Sequence, residues 1–310
     1  MLKFVRHMHA QAAVPRRALL YVPGNDRRKI LKATTLNADC ICLDIEDGVS
    51  VTAKDVARET ISDVLNSATS FAGSEVAVRV NAVSSGMAKK DIACILGGKS
   101  PPSAMVVPKV DTLDEAKWLA DELKRYEGAR GMQLITQVES AQGLLNLNII
   151  CNFLSEKLED INANLAAVIF GSDDFCASIG ATRSASGEEL LYARQKVVTV
   201  AKAYKAQAID MVHIDFKDMQ GFIKYSMQGA AMGFTGKQVI HPSQVAPAHQ
   251  AFAPSEQRVS WATELIEAFN KHQQEGKGAF VFQGQMIDKP SLLQAQNIKS
   301  IADAIVRREL

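Results

Sequence analysis

Charged and polar residues stand at the carboxyl end of each long apolar run in this chain. Asp26, Arg27 and Arg28 follow the first run, in the turn Pro23-Gly24-Asn25-Asp26 and just after it. Asp44, Glu46 and Asp47 follow the second, and Arg79 and Asn81 the third. Lys109 follows the fourth run, Glu139 the fifth, Asp173 and Asp174 the sixth, His213 and Asp215 the seventh, and His241 the eighth. Charges so placed are costly unless they pair or hold an ion. Carboxylates mixed with Arg and Lys read as a hard-cation site for an anionic substrate. Glu139 and Asp174 end successive runs, so two carboxylates can reach one point. Such a pair suits Mg²⁺, which keeps waters and takes substrate oxygens, and the absence of His and Cys from it argues against zinc. The alternative is that these residues cap the helices that follow them: Glu139 before Ser140-Ala141-Gln142-Gly143, and Asp173 as an N-cap.

Arg79 lies in Val78-Arg-Val-Asn81, between valines. A guanidinium there needs an anion. One reading is a carboxylate clamp, for which the planar fork is suited; the other is an ion pair with Glu46 or Asp47 inside the fold. Cys40 and Cys42 share one face of their run and read as small core residues, as Met105 and Met132 read as packing.

The elements that must position these residues follow from hydropathy. Eight runs, Ala18–Val22, Ala38–Leu43, Val76–Val80, Ala104–Val107, Met132–Val138, Leu165–Phe170, Ala208–Ile214 and Gly236–Ile240, are mostly apolar throughout, as parallel strands buried on both faces are. Amphipathic stretches such as Lys54–Leu65, Leu113–Arg125 and Glu188–Lys205 lie between them. Alternating strand and helix predicts an α/β fold, and eight units without a long linker favour a closed (β/α)₈ barrel, a TIM barrel. The turn Pro23-Gly24-Asn25-Asp26 is not GxGxxG, which disfavours an open dinucleotide-binding sheet. In a barrel the active site belongs at the carboxyl ends of the strands, where the charged residues stand. Beyond the eighth run, helices are expected over Ser255–Gln274 and Ser291–Arg307, with Gly276-Lys277-Gly278 and Ala279–Asp288 between them. The predicted organisation is a leader over 1–14, a barrel over 15–250 and a C-terminal helical extension over 251–310, long enough to reach its own barrel or a neighbour's.

Lys and Arg total 35 against 34 Asp and Glu, a net charge of +1 that disfavours a nucleic-acid surface. No apolar run approaches the roughly 18–20 residues of a membrane span. Five cysteines without a CxxC disfavour a disulfide framework or zinc module and favour a reducing compartment. The first acidic residue is Asp26; before it stand Lys3, Arg6, Arg16 and Arg17. Such a terminus reads either as an organelle transit signal or as a simple leader. His7-Met8-His9 has nothing nearby to complete a metal site.

The stretches Arg17-Ala-Leu-Leu-Tyr-Val-Pro-Gly-Asn25, Leu43-Asp-Ile-Glu-Asp-Gly48, Val78-Arg-Val-Asn81, Gln137-Val-Glu-Ser140 and Gly171-Ser-Asp-Asp-Phe175 resemble the HpcH/HpaI aldolase and citrate lyase β-subunit superfamily. The likeness runs from Pro15 onward. Ala208-Ile-Asp210, the run from Gly229 to Pro242, Gly276-Lys-Gly-Ala-Phe280 and Gln283-Gly-Gln-Met-Ile-Asp288 resemble most its mitochondrial branch. The resemblance implies a Mg²⁺-dependent carbon–carbon lyase that cleaves citramalyl-CoA to pyruvate and acetyl-CoA, with malate synthase or β-methylmalate synthase side activity.

The resemblance also implies roles for residues. Glu139 and Asp174 would hold one Mg²⁺, Arg79 the substrate carboxylate, and Asp47 a water of the metal site. Tyr21, Arg28 and the pair Ile240 and His241 would contact coenzyme A; position 28 carries Arg where that branch has Lys. Asp288 would be the acid and base, donated from a neighbouring subunit of a homotrimer; read without the resemblance, Asp288 is the N-cap of the last helix. Competing expectations are an aldolase on free hydroxy-keto acids, a malyl-CoA lyase, and a catalytically inactive binding protein of the same fold.

Overall fold

A computed structural model describes residues 14–67, 69–274 and 280–309. His7-Met8-His9 and Gly276-Lys277-Gly278 lie outside them. The described residues divide into two compact units, one over Arg16–Phe252 and the other within 253–309.

The larger unit is a closed parallel barrel in the order β1 to β8. Its strands are β1 Ala18–Pro23, β2 Cys40–Asp44, β3 Glu75–Arg79, β4 Ala104–Val107, β5 Gln133–Val138, β6 Asn164–Phe170, β7 Gln207–Asp210 and β8 Gly236–Val239. Around them run α1 Arg27–Ala33, α2 Lys54–Asn66, α3 Ala88–Leu96, α4 Leu113–Leu123, α5 Ala141–Lys157, α6 Ser172–Ile179, α7 Leu191–Ala203, α8 Met219–Met232 and α9 Val245–Phe252. The (β/α)₈ architecture expected from the sequence is present. β7 is shorter than the apolar run suggests: pairing stops at Asp210, and residues 211–214 leave the sheet.

Alternation along the strands decides what faces the barrel axis. Leu19, Cys40, Cys42, Ala77, Ala104, Val106, Ile135, Ala167, Ile169 and Ile209 form one apolar cluster drawn from strand residues alone. Continuing that inward register toward the carboxyl ends brings in Tyr21, Asp44, Arg79, Gln137 and Gln238. The outward residues form the larger core with the helices. All five cysteines are free thiols, and Cys40 and Cys42 pack in the interior.

At the amino ends of the strands, Arg16 pairs with Glu75 at 2.6 Å and Arg17 with Asp39 at 2.8 Å, all four buried. Two of the arginines that make the amino terminus look like a transit signal are therefore structural. No helix among the described residues is long and apolar enough to cross a membrane.

Lys237 on β8 is fully buried, and its ammonium makes no hydrogen bond. The nearest carboxylate oxygen, Asp210 Oδ2, is 3.7 Å away and already receives Arg194 at 2.7 Å. Burial, reinforced by Arg194 and Arg183, lowers the Lys237 pKa to about 8. The unfolded chain keeps that proton up to the ordinary lysine value of 10.5. Between these values unfolding takes up a proton, so stability rises with pH there, and below about 8 the fold carries the full cost of the buried charge. Lys237→Met is expected to be neutral or stabilising at pH 7, by up to about 4 kcal/mol, as for other buried ions replaced by apolar groups. Urea melts of both proteins at pH 7 and pH 10 check this: the advantage of the variant should shrink at pH 10.

The smaller unit pairs α10, Glu256–Gln274, with α11, Lys289–Glu309, around a core of Ala262, Leu265, Ile287, Ala295 and Ile298. Between them lies an antiparallel hairpin, β9 Phe280–Phe282 and β10 Gln285–Ile287. Gln283 and Gly284 both take positive φ, 48° and 80°. That is the left-handed pair a two-residue hairpin turn requires, and Gly meets it without a Cβ penalty.

Candidate active site

The register places Asp44 and Arg79 side by side across β2 and β3. The Arg79 fork closes on Asp44, with Nε to Oδ1 and Nη2 to Oδ2 both at 2.7 Å, and Nη1 reaches Glu46 at 3.0 Å. Its guanidinium carbon lies 4.5 Å from the centre of the Tyr21 ring. The expected ion pair inside the barrel thus exists, but with Asp44 and Glu46; Asp47 is exposed and plays no part in it. Two of the five N–H groups of Arg79 hydrogen-bond Asp44 and Nη1 forms an ion pair with Glu46, so the orientation of the side chain is fixed while N–H groups remain to donate elsewhere.

Lys54, buried on α2, holds the turn that carries Glu46 and Asp47 by donating to the carbonyls of Ile45 at 2.6 Å and Glu46 at 2.5 Å. Asn81 is turned away into structure: its N–H and amide both donate to Asp91, which Arg58 also holds.

Glu139 follows β5 and is 5% exposed. Its Oε1 accepts from the Gln137 amide, while its Oε2 is buried and accepts no hydrogen bond. Burial, together with Glu46 and Asp174 and against Lys109 and Arg79, raises the Glu139 pKa to about 8. A Cβ at Gly171 would lie 2.5 Å from the Glu139 side chain, so only glycine there lets Glu139 lie against the end of β6. Neither Glu139 nor Asp173 caps the helix that follows it. Ser140 caps α5 by accepting from Gly143 at 2.9 Å, α6 begins after Gly171 without a side-chain cap, and Asp173 pairs with Arg183 at 2.7 Å.

Asp174 is half exposed on the first turn of α6. Lys109, after β4, stands between it and Glu139. Its ammonium lies 3.0 Å from Asp174, 2.9 Å from Glu46, and 3.7 Å from both Glu139 and Asp47. Burial opposes the charge on Lys109, but the hydrogen bonds to Glu46 and Asp174 outweigh it and hold its pKa above the ordinary lysine value.

At the floor, the Tyr21 hydroxyl lies 3.3 Å from Gln137 Oε1 and 3.2 Å from Gln238 Oε1. Each amide is oriented by what its nitrogen reaches: Glu139 for Gln137, and the carbonyls of Phe170 and Asp210 for Gln238. One hydroxyl proton serves two acceptors, so one amide oxygen can accept from a ligand.

Tyr21, Asp47, Arg79, Glu139, Asp174 and Ile240 line one cavity of 390 Å³. A neighbouring cavity of 320 Å³ shares Tyr21 and Ile240 and adds His241, Lys29 and Lys32. His241 is fixed there by stacking on Phe216, at 4.6 Å between ring centres, and by accepting from the Ser243 N–H. Arg28 stands exposed on α1 and lines neither cavity. Asp288, in the smaller unit, caps α11: its Oδ1 accepts from the Ser291 N–H at 3.1 Å and hydroxyl at 2.9 Å, and the backbone bond lowers its pKa.

Among the described residues no three His, Cys, Asp or Glu converge as a metal-ligand group. A cation here would be held by the two carboxylates and would complete its shell with water and substrate oxygens, which suits Mg²⁺. The buried Glu139 Oε2, which accepts no hydrogen bond, fits that demand.

Residues 17–242 match the family model HpcH/HpaI aldolase/citrate lyase. The chain belongs to this family. It is a carbon–carbon lyase of the HpcH/HpaI group, and its relatives bear that out. It is 49% identical over 296 residues to the human citramalyl-CoA lyase, mitochondrial, across 94% of this chain and 87% of that one. CitE from Mycobacterium tuberculosis, solved in complex with magnesium, acetoacetate and coenzyme A, superposes with a TM-score of 0.71 at 27% identity, covering 94% of this lyase and 99% of that chain. A citrate lyase from Burkholderia xenovorans, at 20% identity and a TM-score of 0.81 over 95% and 93% of the two chains, shares the fold.

Proposed function

We propose that this lyase cleaves citramalyl-CoA to pyruvate and acetyl-CoA, with Mg²⁺ held by Glu139 and Asp174. The observation that carries the reading is a pair of carboxylates at the barrel mouth, one with a buried oxygen lacking a donor, in a chain half identical to a citramalyl-CoA lyase.

The bond to be broken joins the carbinol carbon to the carbon beside the thioester. When bound, Mg²⁺ would act as a Lewis acid on the carboxylate and hydroxyl of the hydroxyacid. The remaining N–H groups of Arg79 donate to the same carboxylate from a guanidinium already fixed by Asp44 and Glu46, so little reorganisation accompanies charge movement. In cleavage the carbinol hydroxyl gives its proton to water and becomes the keto oxygen, while the electron pair of the broken C–C bond passes to the thioester as an enolate, whose methylene carbon must receive a proton. Asp288 supplies that proton in the lyase direction and removes it in the condensing direction. The reading places Asp288 in trans within a homotrimer, on the strength of the family resemblance. Asp47 orients a water at the cavity rim.

Coenzyme A would run from the Arg79 cavity into the neighbouring one past Tyr21 and Ile240, toward His241, Lys29 and Lys32, whose ammonium groups suit phosphates. Arg28, exposed on α1, meets only the outer end of such a path. The relatives named mitochondrial support a mitochondrial location.

Chelator-treated protein is expected to leave citramalyl-CoA intact, with pyruvate release returning on addition of Mg²⁺. Turnover that survives complete metal removal would take the metal out of this reading.

A further inference from the structure

The Lys109 ammonium stands in the mouth without a part in the substrate or metal chemistry above. It reaches carboxylates from three separate elements: Glu46 and Asp47 after β2, Glu139 after β5, and Asp174 on α6. Its own backbone there adopts a left-handed conformation, φ 53°, which a residue with a Cβ enters only at a cost. An ammonium has three donors, and only Glu46 and Asp174 lie at hydrogen-bond distance. Glu139 Oε2 is left at 3.7 Å, attracted but without a hydrogen bond.

Without a cation, four carboxylates this close repel one another. Lys109 supplies the missing charge from the chain itself. A divalent ion on Glu139 and Asp174 would take over the same two oxygens, Oε2 and Oδ2, that face the ammonium, and two cations cannot share them without strong repulsion. We propose that Lys109 is the internal counter-ion of these four carboxylates, and that Mg²⁺ binds by displacing its ammonium from Glu139 and Asp174 toward Glu46 and Asp47. The inference rests on the reading that Glu139 and Asp174 are the metal ligands. The side chain has the freedom for such a move, being 31% exposed on a four-carbon stem. The Glu46 oxygen 2.9 Å away stays available to it throughout.

Lys109 therefore sets a threshold for metal loading. It holds the four carboxylates together and weakens Mg²⁺ binding by competition. This role requires no contact with substrate, so its readouts are metal affinity and the exposure of the amine.

Two measurements on the full chain test it. First, calorimetric Mg²⁺ titration of wild type, Lys109→Met and Lys109→Gln: both variants are expected to bind Mg²⁺ roughly tenfold or more tightly than wild type, within the usual span of coupling between two sites. They should also melt at lower temperature than wild type without metal and gain more from Mg²⁺. Lys109→Gln guards against a Met variant that fails to fold, since its amide can still donate to Glu46. Second, reductive methylation with formaldehyde, read at Lys109 by mass spectrometry: saturating Mg²⁺ is expected to speed labelling several-fold in wild type and not in Glu139→Gln. Unchanged or weaker Mg²⁺ binding in both Lys109 variants, or labelling of Lys109 indifferent to Mg²⁺, would overturn the inference. Mg²⁺ binding that survives Glu139→Gln would remove the metal site itself, and the counter-ion role with it.

Discussion

Asp288→Asn is expected to slow turnover of citramalyl-CoA by about 10²-fold or more, the usual worth of a positioned acid. The substitution isolates chemistry from stability. Asp288 caps α11 through one oxygen that accepts from Ser291, and Asn is as good an N-cap as Asp. The melting temperature and Mg²⁺ affinity should therefore stay near wild type while turnover falls. The group that gives the proton in one direction takes it back in the other, so the condensing direction should be impaired as much as cleavage. The trans arrangement has a separate check. Asp288→Asn subunits mixed with Glu139→Gln subunits, under conditions of subunit exchange, should regain activity, because some sites combine an intact barrel with an intact tail. No recovery despite proven exchange would exclude action in trans.

Arg79→Lys should lower kcat/KM by well over tenfold, which corresponds to more than about 1.4 kcal/mol of transition-state stabilisation. Lysine keeps a positive charge opposite Asp44, which is 1% exposed and would otherwise be a buried, unpaired carboxylate. Arg79→Ala would confound the measurement, because stranding one partner of a buried pair costs about 3–5 kcal/mol of stability. Lysine cannot bond both Asp44 oxygens, reach Glu46 and still offer two donors outward. A folded Arg79→Lys protein with unchanged kcat/KM would show that the guanidinium serves the barrel alone.

The barrel was legible because strands buried on both faces leave near-continuous apolar runs, and α/β alternation leaves few topologies. The run through residues 211–214 misled because apolar residues also pack beneath a loop: Met211 is buried though outside the sheet. The hairpin of the smaller unit went unseen since its strands have three residues each, and Gln283-Gly284 is a weaker turn signal than Asn-Gly.

The inward role of Asp44 was within reach. Cys40 and Cys42 share a face, and the next residue on that face is Asp44. The same step of two leads from Glu139 back to Gln137, and from Ile240 back to Gln238, the two amides at the Tyr21 hydroxyl. Lys109 was visible as a strand-end cation, but its partners come from β2, β5 and β6, and only the closed barrel brings those ends together. Asp288 was legible both as a helix cap and, by resemblance, as an acid. The structure displays the cap, and turnover by the Asn variant decides the acid.

The central claim is the choice of bond and substrate. Pure protein with Mg²⁺ would be incubated separately with citramalyl-CoA, malyl-CoA and free citramalate, and keto acid and acetyl-CoA measured over time. The account predicts equal amounts of pyruvate and acetyl-CoA from citramalyl-CoA, at a rate far above either alternative. Pyruvate from free citramalate with citramalyl-CoA left whole would contradict it.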